Sequence, residues 1–356
     1  MGTVWHNPGG MNRRAFMAAL AAVPAAGAAL RSFQTTGTQT VIRPPRLRPG
    51  DSVGIVAPAS ATFQTDDVEI ARESLEALGL RVKIGSNVLA RHGYLAGDDK
   101  ERAADINAFF ADEAMKAVIP IRGGWGSSRV LPHLDYDTIR RNPKVVVGYS
   151  DITALHMAIQ ARTGLVTFHG PNGMGRWDSW SLDYFKRLLF GAEAPTLTNL
   201  VKLSDRNALT PTEHRARTIT PGTARGRLLG GNLTVLTAIL GSPYVPSFDG
   251  AILFLEDVGE DLYRVDRMFT QLKLAGVLDV IRGFVFGTCA ECGPGEGFAS
   301  LTLEEIFADH IKPLGIPAWF GAMIGHQTPQ WTVPIGIEAE IDASKATIRL
   351  LSPAVK

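Results

Sequence analysis

Cysteine is almost missing from this chain: Cys289 and Cys292 are the only two in 356 residues. A structural zinc site wants four ligands, and neither a second cysteine pair nor a His-Glu-x-x-His run supplies them. The expectation is no metal and no cofactor. Neither sign of charge dominates either. Lys and Arg number 36 against 35 Asp and Glu, a net +1, which leaves no electrostatic footprint for nucleic acid. No apolar run reaches the roughly 20 residues of a membrane span. Internal repeats are absent. At 45% hydrophobic residues disorder is excluded. The 37 glycines and 21 prolines follow no period, which excludes collagen and points to many tight turns. At about 150 residues per domain, the length allows roughly two domains.

What is present begins with an address. Arg13-Arg14 is followed by an uncharged, alanine-rich stretch over residues 15–30. A basic flank, a short apolar run and small residues read as a secretory signal, and the paired arginines favour the twin-arginine route. Residues 1–30 are expected to be that signal, with Ala26-Gly27-Ala28 as cleavage site and Met11 as an alternative start. Export to the periplasm would permit a disulfide. Cys289 and Cys292 follow the strand-like Phe284-Val285-Phe286 and precede Gly293-Pro294-Gly295. A thioredoxin-like pair would open a helix, so this pair reads as structural.

Residues 31–50 turn Pro-rich (Pro44, Pro45, Pro49) and read as a linker. From 51 to 190, short apolar runs alternate with helical periods. Val53–Ala57, Arg81–Ile84, Ala117–Ile121 and Lys144–Val147 read as strands; Asp66–Leu80, Lys100–Phe110 and Asp151–Arg162 read as helices. That alternation predicts α/β architecture with a parallel sheet covered on both faces. Residues 191–222 read as a connection. Residues 223–356 read as a smaller, strand-rich mixed α/β domain, with helices at Leu233–Leu240 and Leu262–Leu274.

Four stretches could carry chemistry. In Val147-Gly148-Tyr149-Ser150-Asp151 a buried strand runs into a helix, which would push a serine hydroxyl out at the carboxyl edge of the sheet, where such folds bind ligands. On local grammar alone Ser150 or Asp151 is more simply a helix cap. Arg122-Gly123-Gly124-Trp125-Gly126 could bring backbone N–H groups to an oxyanion, or be a tight turn. Glu256 and Asp257 end an apolar strand, with Arg264 and Arg267 near enough in sequence for an ion-pair network. His326, between Gly325 and a polar loop, is the histidine best placed to reach a cleft; His169, in Phe168-His169-Gly170-Pro171, is its main competitor. Together these allow a Ser–His–Glu triad, in which imidazole takes the serine proton and a carboxylate orients the ring.

On these residues the chain resembles the LD-carboxypeptidase family of serine peptidases, which includes the microcin-immunity peptidases. The resemblance spans about 50 to 350. It is carried by Gly54-Ile55-Val56-Ala57-Pro58-Ala59-Ser60, the Arg122–Ser127 turn, Gly148-Tyr149-Ser150-Asp151, Gly230-Gly231-Asn232-Leu233, Leu253–Asp257 and Gly325-His326. It implies a Rossmann-like N-terminal domain, a strand-rich C-terminal domain and homodimers. It implies Ser150 as nucleophile, His326 as base, Glu256 as its orienter, and an oxyanion hole from the N–H of Asp151 and of Gly123 or Gly124. The implied reaction releases terminal D-alanine from a murein-derived tetrapeptide. Arg122 and Arg267 are candidates for the substrate carboxylate. An amidase of the microcin-immunity kind would want an aromatic platform for a nucleobase, for which Trp125, Trp177 and Trp331 are candidates. A non-catalytic muropeptide-binding protein is the third reading.

Overall fold

The computed structural model describes residues 40–175, 177–201, 209–210, 212–294 and 299–356; the expected signal, residues 1–30, lies outside them. Strands β1 (Ser52–Val56), β2 (Arg81–Ile84), β3 (Met115–Pro120), β4 (Val145–Gly148) and β5 (Thr167–His169) run parallel in the order β2-β1-β3-β4-β5. A helix follows each of the first four: Thr65–Glu76, Asp99–Ala111, Tyr136–Arg141 and Thr153–Thr163. Strands covered on both faces must be apolar throughout, and Val145–Val147 and Val53–Val56 are fully buried or nearly so. Gly54 is required by the packing. A Cβ there would fall 2.3 Å from the Phe109 ring of the helix Asp99–Ala111, which a reciprocal Asp98–Glu101 capping box starts. This is a Rossmann-like, doubly wound sheet. From β1 the chain steps to β2 on one side and then crosses back to β3 on the other, so the carboxyl ends of β1 and β3 open the crevice where such sheets hold ligands.

The second sheet is built from β6 (Thr196–Leu197), β7 (Arg217–Thr220), β8 (Thr223–Asn232), β9 (Ile252–Val258), β10 (Gly283–Ala290) and β11 (Ala318–Phe320). After β12 (Val333–Ile335), strands β13 (Glu338–Asp342) and β14 (Thr347–Leu350) complete it. Its order is β6-β14-β13-β8-β9-β10-β11-β7, with β8 to β11 parallel and the outer pairings antiparallel. Behind it the helix Leu262–Leu274 buries Val265, Met268, Phe269 and Leu272, and Phe269 meets Phe284, Phe286 and Phe307 at ring separations of 5.8–6.2 Å.

Strand β12 does not join this sheet. It returns to pair antiparallel with β5 of the first, so residues 321–332 pass from one sheet to the other. Residues 40–50, read as linker, are docked on the body. Leu47 is buried, its N–H donates to Leu189, and Arg46 N–H donates to the Lys356 carbonyl. Strand β10 starts at Gly283, after a helical turn over Val277–Val280. Cys289 and Cys292 form a disulfide at the end of β10. Among the described residues no helix is long and apolar enough to cross a membrane.

Candidate active site

Strand β4 ends at Gly148. After an extended Tyr149, Ser150 takes φ 67°, a left-handed conformation that costs an L-residue of order 1–3 kcal/mol. The chain turns through Ser150–Ile152 into the helix Thr153–Thr163. Neither Ser150 nor Asp151 caps this helix: no side-chain cap is made at either start, which removes the capping reading. Asp151 Oδ2 instead accepts the Ser127 N–H at 2.7 Å, and Ser127 Oγ donates to the Asp151 carbonyl. The elbow is thereby stitched to the end of the glycine turn. Burial pushes the Asp151 carboxyl upward against the donors from Ser127.

The strained serine faces His326, on the segment crossing between the sheets. Ser150 Oγ lies 3.0 Å from His326 Nε2, and His326 Nδ1 lies 2.7 Å from Glu256 Oε2. A carboxylate at Nδ1 fixes the proton there, leaving Nε2 to accept from the serine. Glu256 is fully buried near the end of β9, while the His326 side chain keeps 18% of its surface exposed. Burial pulls the His326 imidazolium down, but the hydrogen bond and charge of Glu256 outweigh it and hold it above the ordinary imidazole value.

Asn232, at the end of β8, ties this pair down. Its Nδ2 donates to Glu256 Oε1 at 3.3 Å and to Asp257 Oδ1 at 2.9 Å. Its Oδ1 caps the helix Leu233–Ile239 through the Val235 N–H. Its own N–H donates to Thr153 Oγ1 on the serine-bearing helix. Burial, with the charge of Glu256 beside it, pushes Asp257 up to about 6. The sequence motif contained Asn232 without a role; a strand-end Asn before a helix was the signal that could have found it.

Gly325 (φ 80°) is the packing requirement of the site, because a Cβ there would fall 2.1 Å from Glu256 Oε2. Gly325→Ala is therefore expected to displace the carboxylate from His326. The downfield proton resonance of the Nδ1–H···carboxylate bond should vanish, and chemistry using the pair should slow about 10²-fold, the usual cost of an ångström of misplacement. A retained downfield resonance would show that the site tolerates the methyl group.

The cleft above Ser150 has a volume of about 360 Å³ and is lined by Arg122, Gly123, Gly124, Tyr149, Asn172 and Met174, among others. Gly123 faces the serine: a Cβ there would lie 2.9 Å from Ser150 Cβ and 3.3 Å from the Asp151 nitrogen. Gly124 (φ 114°) packs on Ser60, whose Oγ accepts the Trp125 N–H at 3.0 Å. The N–H groups of Gly123, Gly124 and Asp151 donate to no acceptor among the described residues. Arg122 lines the cleft with no carboxylate partner among those residues.

Other candidates lie elsewhere. Arg267 is exposed and sits over the Tyr263 ring on the outer face of the helix Leu262–Leu274, so it does not reach the cleft. Trp125 is exposed beside Tyr94, beyond the lining. Trp331 is buried against Trp319 and donates to the Thr198 carbonyl, and Trp177 packs on Phe185. His169 is fully buried and does not approach Ser150 as a base; its Nε2 lies 3.8 Å from Glu256 Oε1.

Residues 53–170 match the family model described as the LD-carboxypeptidase N-terminal domain, and residues 225–341 match that of the C-terminal domain. The probable murein peptide carboxypeptidase of Bacillus subtilis is 40% identical over 310 residues, 86% of this chain and 93% of that one. The solved microcin C7 self-immunity protein, whose curated counterpart is from Escherichia coli, matches with a TM-score of 0.78 at 28% identity, covering 88% of this chain and all of that one. The muramoyltetrapeptide carboxypeptidase of Oxalobacter formigenes matches with a TM-score of 0.70 at 27% identity, covering 84% of this chain and 97% of that one. With both domains matched in order and relatives aligned over most of its length, the chain belongs to the LD-carboxypeptidase family of serine peptidases.

Proposed function

We propose that this chain is a serine carboxypeptidase that releases terminal D-alanine from murein-derived tetrapeptides by hydrolysing an L,D-peptide bond. The observation that carries the reading is the unbroken line from Ser150 through His326 to Glu256, at 3.0 and 2.7 Å, in a family whose relatives are named for murein peptides. Ser150 Oγ attacks the scissile carbonyl carbon while His326 Nε2 takes its proton. The carbonyl oxygen becomes an oxyanion, received by the free N–H of Asp151 and one from the Gly123-Gly124 turn. A single such donor is typically worth about 2.7–4 kcal/mol in the transition state. The C–N bond then breaks, and His326 returns the proton to the departing amine. Water repeats the sequence on the acyl-enzyme and frees Ser150.

Arg122 supports an exopeptidase. A guanidinium in the cleft with no protein carboxylate beside it suits the free carboxylate of a chain end, which Arg can bind through two parallel hydrogen bonds. Of the candidate platforms for a nucleobase, Trp177 and Trp331 are engaged in packing and Trp125 is not among the residues that line the cleft. We further propose export by the twin-arginine route from Arg13-Arg14 and the uncharged run after them. The Cys289–Cys292 disulfide fits an oxidising compartment.

Mass spectrometry of defined muropeptides tests the reading. A tetrapeptide should lose one alanine, and the same peptide with an amidated C-terminus should be cleaved poorly or not at all. The activity should reside in the extracytoplasmic fraction of cells. Hydrolysis of an aspartyl sulfamoyl adenosine with the tetrapeptide left intact would overturn the substrate assignment, and activity confined to the cytoplasm would overturn export.

A further inference from the structure

His169 is the most poorly accommodated polar side chain near the site. It is fully buried, and both of its ring nitrogens lack a hydrogen-bond partner among the described residues. A buried polar group left unpaired is costly and calls for a reason. The ring extends from the end of β5, where His169 is in register with Gly148 of β4 and Val333 of β12. It has Tyr149 on one side and Phe254 on another, at ring separations of 6.3 and 5.7 Å. The titratable groups facing it are Glu256, Tyr149, His326 and His156. Burial, reinforced by the two neighbouring histidines, holds it neutral, well below the ordinary imidazole value.

Glu256 has the complementary deficit. It is fully buried. Its Oε2 accepts the His326 Nδ1–H at 2.7 Å and the His326 backbone N–H at 3.3 Å. Among the described residues its Oε1 accepts only from Asn232 Nδ2, at 3.3 Å, and that amide is shared with Asp257. A carboxylate in a dry site needs its donors. One unpaired N–H and one under-served oxygen stand 3.8 Å apart, so a closure of roughly 1 Å would make a normal hydrogen bond. Catalytic hydrogen bonds are often long before substrate binds.

We infer that His169 is a positioning residue, an imidazole whose Nε2–H donates to Glu256 Oε1 and holds the carboxylate aligned behind His326. The first sheet then supplies both the proposed nucleophile and a support for the carboxylate carried by the second. Approach of the two sheets would set both contacts at once. The inference rests on the proposed role of Glu256.

The test uses His169→Phe, which keeps ring volume but no donor, and His169→Gln, which restores an N–H. The proton affinity of His326 is measured by NMR titration of its ring, and kcat and KM on the tetrapeptide are measured in parallel. In the Phe variant Glu256 loses a competing donor and attracts the His326 proton more strongly, so that proton should bind about threefold more tightly. The kcat should fall about tenfold to a hundredfold with KM little changed. The Gln variant should recover most of both. A titration in His169→Phe that matches the native chain would overturn the inference, as would equal impairment of both variants or loss of folding in both. The titration needs no turnover. A native chain that leaves the tetrapeptide intact would therefore speak against the proposed function alone.

Discussion

Ser150→Ala should abolish release of the terminal residue while leaving the fold in place. Removing the serine from a triad of this kind costs about 10⁶ in kcat, because nucleophile, base and orienter act as a unit. The residual rate would come from binding and from the amides of Asp151 and the glycine turn. The same substitution should hardly touch stability. The lost atom makes one hydrogen bond, to a partly exposed His326, and the φ of 67° at this position strains serine and alanine alike. The melting temperature should stay within about 3 °C of the native value, the shift expected for a change near 1 kcal/mol in a protein this large. A tetrapeptide assay and a thermal melt on one preparation decide it. Turnover above about a hundredth of native would remove Ser150 from the nucleophile's place, since no triad serine is so dispensable.

The first sheet was legible because burial on both faces leaves a mark in the residues themselves. Val145–Val147 and Val53–Val56 are uninterrupted apolar runs, and between them the helices repeat with the period of a covered face. β8 left no such mark. It contains Gly226, Gly230 and Gly231, which depress any strand signal, and their reasons are tertiary. A Cβ at Gly230 would fall 1.7 Å from the Phe254 carbonyl oxygen, and one at Gly231 would fall 2.5 Å from Thr153 Oγ1. β5 and β12 have three residues each, too few for alternation to register. The return of β12 to the first sheet is a matter of topology, which no local period encodes.

The site divides the same way. Ser150, Glu256 and His326 stand out because each is a reactive side chain at an abrupt change of local structure, and such changes can be seen in sequence. Helical spacing places Arg267 away from the packed side of its helix. Val265, Met268, Phe269 and Leu272 define the buried stripe of its helix, and Arg267 lies off it. His169 reads as a rival base because a strand-end histidine looks the same in sequence whether it faces the serine or the carboxylate. Only the register of β5 against β4 separates the two.

Glu256→Gln is the substitution in which geometry and charge come apart. Glutamine keeps the size of the side chain and can still accept at one oxygen, so the fold and the Asn232 contact should survive. What disappears is the negative charge beside His326 Nδ1 and the certainty of its tautomer. In a Ser–His–carboxylate triad the equivalent amide lowers kcat by about 10⁴. The pH profile supplies the sharper sign. Neutral His326 is the active form, so kcat/KM should fall as pH drops through its proton affinity. In the native chain burial lowers that affinity and Glu256 more than restores it, so the net shift is upward. With glutamine only burial is left among the two, and the acid limb should move to lower pH even as the plateau falls. Loss of the neutral donor at His169 moves the same limb the other way. Arg264 pairs with Glu260 and Asp261 rather than with Glu256, so a rate within about tenfold of native, with the limb unmoved, would mean that something other than the Glu256 charge orients His326.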